Sequence, residues 1–288
     1  MRFRLTSDQR ALRDGTRELL ARRFGPDALR EAVDRPGLDR ALWRELGAAG
    51  LFSLGLPSSA GGLGLGLPEA VVVFEECGRA LLPGPLVATF LAAGEVPGAS
   101  AGEAVVTRPW YGLVPWLEAA DAVRGDVTDA APLASVDPLT PLHATPGGGP
   151  AAPPRDEAAL LYAAEQLGSA GRTLALAVQH ARERHQFGRP VGAFQAVKHL
   201  CADMLVRTEV ARAAVYAAAV TRDPVETAAA ALLAGEAAVQ GARDCLQVHG
   251  GMGFTWEAEV HLHLKRAWVR AELAGGARAA EEVLAAAL

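Results

Sequence analysis

Hydrophobic spacing divides the chain into two helical stretches around a middle that lacks periodicity. Leu12, Leu19 and Leu20 recur at roughly helical intervals after the cap candidates Thr6, Ser7 and Asp8, which predicts a helix over residues 5–24 halted by Gly25-Pro26. A second helix is predicted around residues 38–49 from Leu42, Trp43 and Leu46, ending in the Gly47–Gly50 region. Pro57 and Gly61-Gly62-Leu63-Gly64 form a loop. Helix resumes near Pro68 with Val72, Glu75, Glu76 and Leu81, until Pro83-Gly84-Pro85 breaks it. Between residues 95 and 155 the pattern changes: Pro, Gly and Asp are frequent, and only short apolar pieces such as residues 104–107 and 120–123 suit strands. Thr145–Pro154 has the composition of a linker. From Asp156 the helices lengthen. Leu160, Ala164, Leu167, Gly171, Leu174 and Val178 mark one buried face of a helix ending near Gly188, with Gly168 and Gly171 permitting close approach of a neighbour. Val197, Cys201, Met204, Thr208, Ala211 and Val215 mark the next helix. Asp223-Pro224 opens a third that runs to about His249, and residues 256–287 supply one or two more. The expected fold is mostly α: an N-terminal helical domain (1–94), a reduced middle β segment with linker (95–155), and a C-terminal four-helix bundle (156–288).

Composition supports this division. Half of the 288 residues are hydrophobic, 21% are charged and 6% are aromatic, and the long Ala-, Leu- and Val-rich tracts suit close-packed helices better than a β-sandwich. The net charge of −5, with basic residues dispersed along the chain, argues against a nucleic-acid partner or an anionic membrane surface. Cys77, Cys201 and Cys245 are odd in number and far apart, which excludes a disulfide framework and a Cys-based zinc site and suits a reducing cytoplasm. The charged start MRFRLTSDQR and the lack of any apolar run of spanning length predict a cytoplasmic protein with no membrane partner.

Two segments between helices carry candidate chemistry. Arg184-His185-Gln186-Phe187-Gly188-Arg189-Pro190 places a guanidinium, an amide and an aromatic ring where one helix ends and the next begins. The guanidinium fork suits a pyrophosphate, the amide suits an adenine edge or ribose, and the ring offers a packing face. Gln247-Val248-His249-Gly250-Gly251-Met252-Gly253-Phe254-Thr255 is a helix end whose glycines leave the backbone open to a ligand. Each segment alone is also compatible with a plain turn.

In this order, the two segments resemble the acyl-CoA dehydrogenase family. Its R-x-Q-F-G-x-P-[IV]-x-x-F-Q motif is matched by R-H-Q-F-G-R-P-V-G-A-F-Q from Arg184, and its Q-x-x-G-G-x-G-[FY]-T motif from Gln247. Residues 198–204, L-W-x-x-L-x-x-x-G-L at 42–51, the loop at 57–64 and F-E-E-C-G-R at 74–79 extend the similarity over both helical ends. The resemblance implies a FAD lying across a subunit interface, with Arg184, Gln186, Phe187, Gln247, Gly250 and Gly251 on its adenosine-diphosphate half. It further implies an acyl-CoA thioester as substrate and an electron-transfer flavoprotein as acceptor.

The sequence departs from the family twice. The T-E-x-x-x-G-S-D-like stretch of the middle domain has only Val105–Trp110 as counterpart, and residues 95–155 are too few for the full domain. The α-proton must be taken by a carboxylate while hydride leaves the β-carbon. Where many members carry that Glu, this chain has Ala274, with Glu272 two residues away; near Ala158, the alternative place on the first bundle helix, the carboxylates are Glu157 and Glu165, more simply a first-turn and a packing-edge residue. No catalytic base is assigned. His249, Glu259, His261 and His263 form no expected metal site, because two His at i and i+2 diverge on a helix. The resulting expectation is the smaller subunit of an α2β2 acyl-CoA dehydrogenase, completed by a full-length partner that brings the base. The alternatives are an independent homo-oligomeric enzyme and a non-catalytic helical scaffold.

Overall fold

The computed structural model describes residues 4–146 and 156–288, so most of the expected linker at Thr145–Pro154 lies outside the described residues. The N-terminal part consists of α1 (Ser7–Arg23), α2 (Pro26–Asp34), α3 (Arg40–Ala48), α4 (Leu67–Arg79) and α5 (Leu86–Ala92). Thr6 starts α1 through a reciprocal cap: its hydroxyl accepts from the Gln9 amide at 3.2 Å, and the Gln9 side chain accepts from the Thr6 amide at 3.0 Å. Asp39 caps α3 by accepting from the amides of Ala41 and Leu42. Pro26, which halts α1, is also the first residue of α2, a position where proline's missing N–H costs nothing.

The middle part holds five strands among the described residues: β1 (Val106–Thr107), β2 (Leu113–Pro115), β3 (Ala122–Val123), β4 (Ala131–Leu133) and β5 (Leu142–Ala144). The two apolar pieces picked out above pair in parallel as β1 and β3, while β2, β5 and β4 make an antiparallel sheet with β5 central. With two or three residues per strand, this is a reduced β region rather than a complete barrel-like domain. Thr107, in the Val105–Trp110 stretch, is fully buried and donates its hydroxyl to the Pro115 carbonyl.

The C-terminal part is a bundle of α6 (Asp156–Glu183), α7 (Gln195–Thr221), α8 (Pro224–His249), α9 (Val260–Leu273) and the shorter α10 (Gly276–Ala286). Asp223 accepts from the amides of Val225 and Glu226 ahead of Pro224, as the cap-and-proline signal requires. Helices α6, α7 and α8 pack on one another, α9 on α8 and α6, and α10 on α8 and α9. α6 ends at Glu183, five residues before the end expected at Gly188, because the chain turns into a hairpin of β6 (His185–Gln186) and β7 (Arg189–Pro190).

The first half of α6 is enclosed almost all round, from Ala158 to Ala170. It meets α4 through two glycines: a Cβ on Gly168 would lie 1.8 Å from the Glu75 carbonyl oxygen, and one on Gly78 would lie 1.9 Å from that of Glu165. In the second half, Thr173, Ala177 and Ala181 are buried, while Leu174 and Val178 stay partly exposed. The main core joins the N-terminal helices, Val105, Trp110, Leu139 and Leu142 of the middle part, and α6–α9. A separate small core of Ala177, Ala181, Met204, Cys245, Leu246, Val248 and Val260 closes the far end of the bundle.

Candidate functional site

That far end brings together the last turn of α6, the β6–β7 hairpin, the start of α7 and the last turn of α8. A cavity of about 600 Å³ opens there, lined by Arg184, Gln186, Phe187, Gln247, Gly250 and Gly251, together with His180, Phe194, His249 and their apolar neighbours. All six residues singled out in the two motifs therefore face one cavity, although 60 positions separate their two groups in sequence.

The hairpin presents its residues by an unusual backbone choice. Phe187 and Gly188 form the two-residue turn, both left-handed at φ 55° and φ 79°, the combination that matches the twist of paired strands. Glycine adopts it freely, whereas a phenylalanine is strained there. The ring gains little from the protein in return: it is 89% exposed, with one edge-to-face contact to Phe194 at 6.0 Å. Arg184 is held through its backbone, with its N–H donating to His180 and its carbonyl accepting from Val191, both at 2.8 Å. Its guanidinium, and the side-chain amides of Gln186 and Gln247, have no hydrogen-bond or ion-pair partner among the described residues.

The opposite wall is bare backbone. Gly250 turns the chain at φ 60° and ψ −141°, and a Cβ built on Gly250 or Gly251 meets nothing within 4 Å. α7 begins at the cavity with Phe194 as its cap residue and no side chain satisfying its first amides. The motifs did not single out His180 as a candidate. Its ring stacks on His249 with centroids 4.2 Å apart, and burial, His249 and Arg184 together lower its pKa. His249 Nδ1 lies 2.8 Å from the Cys245 carbonyl, an arrangement that places a proton on Nδ1 and leaves Nε2 as the free nitrogen. Sequence spacing gives no sign of this pair, because the two histidines meet only when α6 and α8 run side by side.

The turn at Ala274-Gly275, where the family resemblance leads one to expect the base, holds no carboxylate. Ala274 ends α9, and Gly275 follows at φ 100°, packed so closely on Tyr111 that a Cβ would lie 2.4 Å from the ring. Glu272 is exposed. Glu165, expected at a packing edge, is instead fully buried and paired with Arg270 at 2.8 Å. Burial raises its pKa, against the pull of Arg270 and Arg266. His249, Glu259, His261 and His263 have separate engagements. His263 meets the Ser169 hydroxyl at 2.8 Å, Glu259 pairs with Arg172, His261 stacks on Trp256, and His249 stacks on His180. Among the described residues, no helix is long and apolar enough to cross a membrane.

The chain is similar to known proteins both in its two helical parts and over nearly its whole length. Residues 6–98 match the model of the acyl-CoA dehydrogenase N-terminal domain, and residues 156–288 match that of the acyl-CoA dehydrogenase C-terminal domain. The chain is 38% identical to acyl-CoA dehydrogenase IpdE2 of Mycobacterium tuberculosis, over 92% of each chain. It is 35% identical to acyl-CoA dehydrogenase IpdE2 of Mycolicibacterium smegmatis, over 95% of this chain and 96% of that one. Its fold superposes on a chain of the ChsE4–ChsE5 complex from Mycobacterium tuberculosis with a TM-score of 0.80 and 25% identity, covering 98% of this chain and 97% of that one. With two family domains matched in order and a full-length relative above one-third identity, the chain belongs to the acyl-CoA dehydrogenase family.

Proposed function

We propose that this chain is a subunit of a FAD-dependent acyl-CoA dehydrogenase and works with a full-length partner of the same family. The observation that carries the proposal is the convergence of unpaired donors and bare glycine backbone on one open cavity. Such a set fits the adenosine-diphosphate half of FAD. Arg184 would take the pyrophosphate with a planar fork, Gln186 and Gln247 would meet adenine or ribose, Phe187 would pack on the cofactor, and the Gly250-Gly251 backbone would let it approach closely. When bound, FAD supplies the hydride acceptor for α,β-dehydrogenation of an acyl-CoA thioester.

The same chain is poorly equipped for the rest of the reaction. Thr107 is sealed in the interior, the strands are too few for the family's middle domain, and Ala274 stands where a carboxylate is needed. A full-length partner would bring the flavin cradle and the base, as in an α2β2 assembly, and an electron-transfer flavoprotein would take the electrons onward. The relative solved as the ChsE4–ChsE5 complex is itself an assembly of two different chains, which favours this arrangement over the homo-oligomer. Three free thiols, Cys77, Cys201 and Cys245, suit a cytoplasmic setting.

Substituting Arg184 tests the cofactor assignment. In the complex with its partner, Arg184→Ala removes a charge-assisted bond worth about 1.5–3 kcal/mol, so FAD affinity falls roughly ten- to a hundredfold. Arg184→Lys recovers part of the loss, because an ammonium keeps the charge without the fork. Unchanged FAD affinity in the alanine variant removes Arg184 from the site.

A further inference from the structure

A second cavity, of about 300 Å³, lies between α1, the start of α2, α4, α6 and α9. Arg172 on its wall lies about 16 Å at the helical rise before Glu183, the last residue of α6, and the two cavities share no lining residue, so this cavity is separate from the one above. Leu20, Phe24, Leu29 and Leu81 form its apolar walls. Its charged lining comprises three arginines and two glutamates.

Two of those arginines are neutralised in place. Arg17 makes a two-pronged bond to Glu76, at 2.8 and 2.6 Å, and Arg172 holds Glu259 at 2.5 Å. His263 adds no charge: burial and the nearby Arg172, Arg266 and Arg79 lower its pKa to about 3, and its Nδ1 is engaged with Ser169. Arg79 is the remaining cation. It has no hydrogen-bond or ion-pair partner among the described residues, and burial, with Arg17 and Arg172 nearby, pulls its pKa down against the opposite pull of Glu76 and Glu75. It lies along α6 at Gly171: Nη1 of Arg79 is 3.9 Å from where a Cβ on that glycine would stand, an ordinary contact distance. At the cavity rim α2 begins with Gly25 and Pro26, and no side chain caps its first amides.

A half-buried guanidinium whose neighbouring carboxylates, Glu75 and Glu76, are already bound to Arg212 and Arg17, in a concave and mostly apolar chamber, is a receptor for an anion that also carries hydrocarbon. We infer that this cavity binds a small organic carboxylate, with the carboxylate on Arg79 and the hydrocarbon chain against Phe24, Leu20 and Leu29. Arg17 and Arg172 act as supporting groups whose own carboxylates stay in place. The site is independent of flavin.

The test is titration of hexanoate into the purified chain, followed by calorimetry and by NMR of the arginine Nε–H signals. The inference expects saturable one-site binding, with the Arg79 signal moving most. Arg79→Gln, which keeps length and polarity, should weaken binding roughly tenfold or more, as loss of a charge-assisted bond requires. Inorganic phosphate should bind at least about tenfold more weakly than hexanoate, since it leaves the apolar walls unfilled. Absence of saturable binding overturns the inference, as does a shift centred on another arginine. Phosphate binding as tight as hexanoate overturns the organic-acid assignment. The wild-type NMR readout needs no variant, so a poorly folded Arg79→Gln does not spoil the test. Neither measurement involves FAD, so a negative result leaves the cofactor proposal standing.

Discussion

The arginines at the two ends of the bundle have opposite surroundings. At one end, Arg266 and Arg270 of α9 are buried to 4% and 3% exposure. Arg266 meets Asp137 at 2.5 Å and donates to the carbonyls of Leu82 and Leu139, while Arg270 pairs with Glu165 and lies 5.5 Å from the Tyr162 ring. At the other end, Arg184 projects beside an open cavity with its donors unused. The first pair ties the middle segment and α6 to α9. Both charges are sealed from solvent and held against their carboxylates, which offset the cost of desolvating them, so neither guanidinium is presented to a ligand. Arg184 is held by its backbone alone, so its side chain is available. Exposure to an open cavity, rather than chemical type, separates the structural arginines of α9 from Arg184, the proposed cofactor ligand.

The largest effect expected from this contrast is at the buried end. Asp137→Ala leaves Arg266 as a buried charge without its carboxylate, and the chain should lose about 3–5 kcal/mol, measured by urea denaturation. The cavity at the other end should be untouched wherever the variant remains folded. A loss within about 0.5 kcal/mol, as for an ordinary surface change, would erase the distinction between the two ends.

The smallest effect expected is at the hairpin tip, and its sign is opposite. Phe187→Gly removes a left-handed phenylalanine that is almost wholly exposed, so the strain disappears and little packing is lost. Relief of about 1–2 kcal/mol is partly cancelled by the greater freedom of glycine in the unfolded chain, leaving a gain of roughly 0.5–1 kcal/mol in stability. FAD affinity of the assembled enzyme should fall in the same variant. A stability loss on this substitution would show that the ring serves the fold rather than the site.

Much of this arrangement was legible in the sequence, for identifiable reasons. α1, α3, α4, α7 and α8 announce themselves by caps and by apolar spacing, since one face of each must be buried. The two motifs mark the cavity because donors and glycines are concentrated where helices end. α2 was hidden because proline stops one helix and starts another with the same side chain. α5 has only seven residues, too few for periodicity to show. The end of α6 is not marked in the sequence because the hairpin depends on Phe187 entering a conformation that its own propensity disfavours. Glu165 reads as a packing-edge carboxylate until α9 supplies Arg270, 105 residues later. Arg79 is the reverse case: it sits beside two acidic residues, yet Glu75 goes to Arg212 and Tyr216 and Glu76 goes to Arg17.

The central claim is that this chain supplies one half of a flavin site and a full-length family member supplies the other. Its most direct test is to purify the chain alone and together with such a partner, and to record the flavin spectrum and the native mass of each preparation. The account predicts nearly colourless protein from the chain alone, and a yellow complex of two different subunits carrying FAD. Stoichiometric FAD on the chain alone, in an assembly of identical subunits, would contradict it.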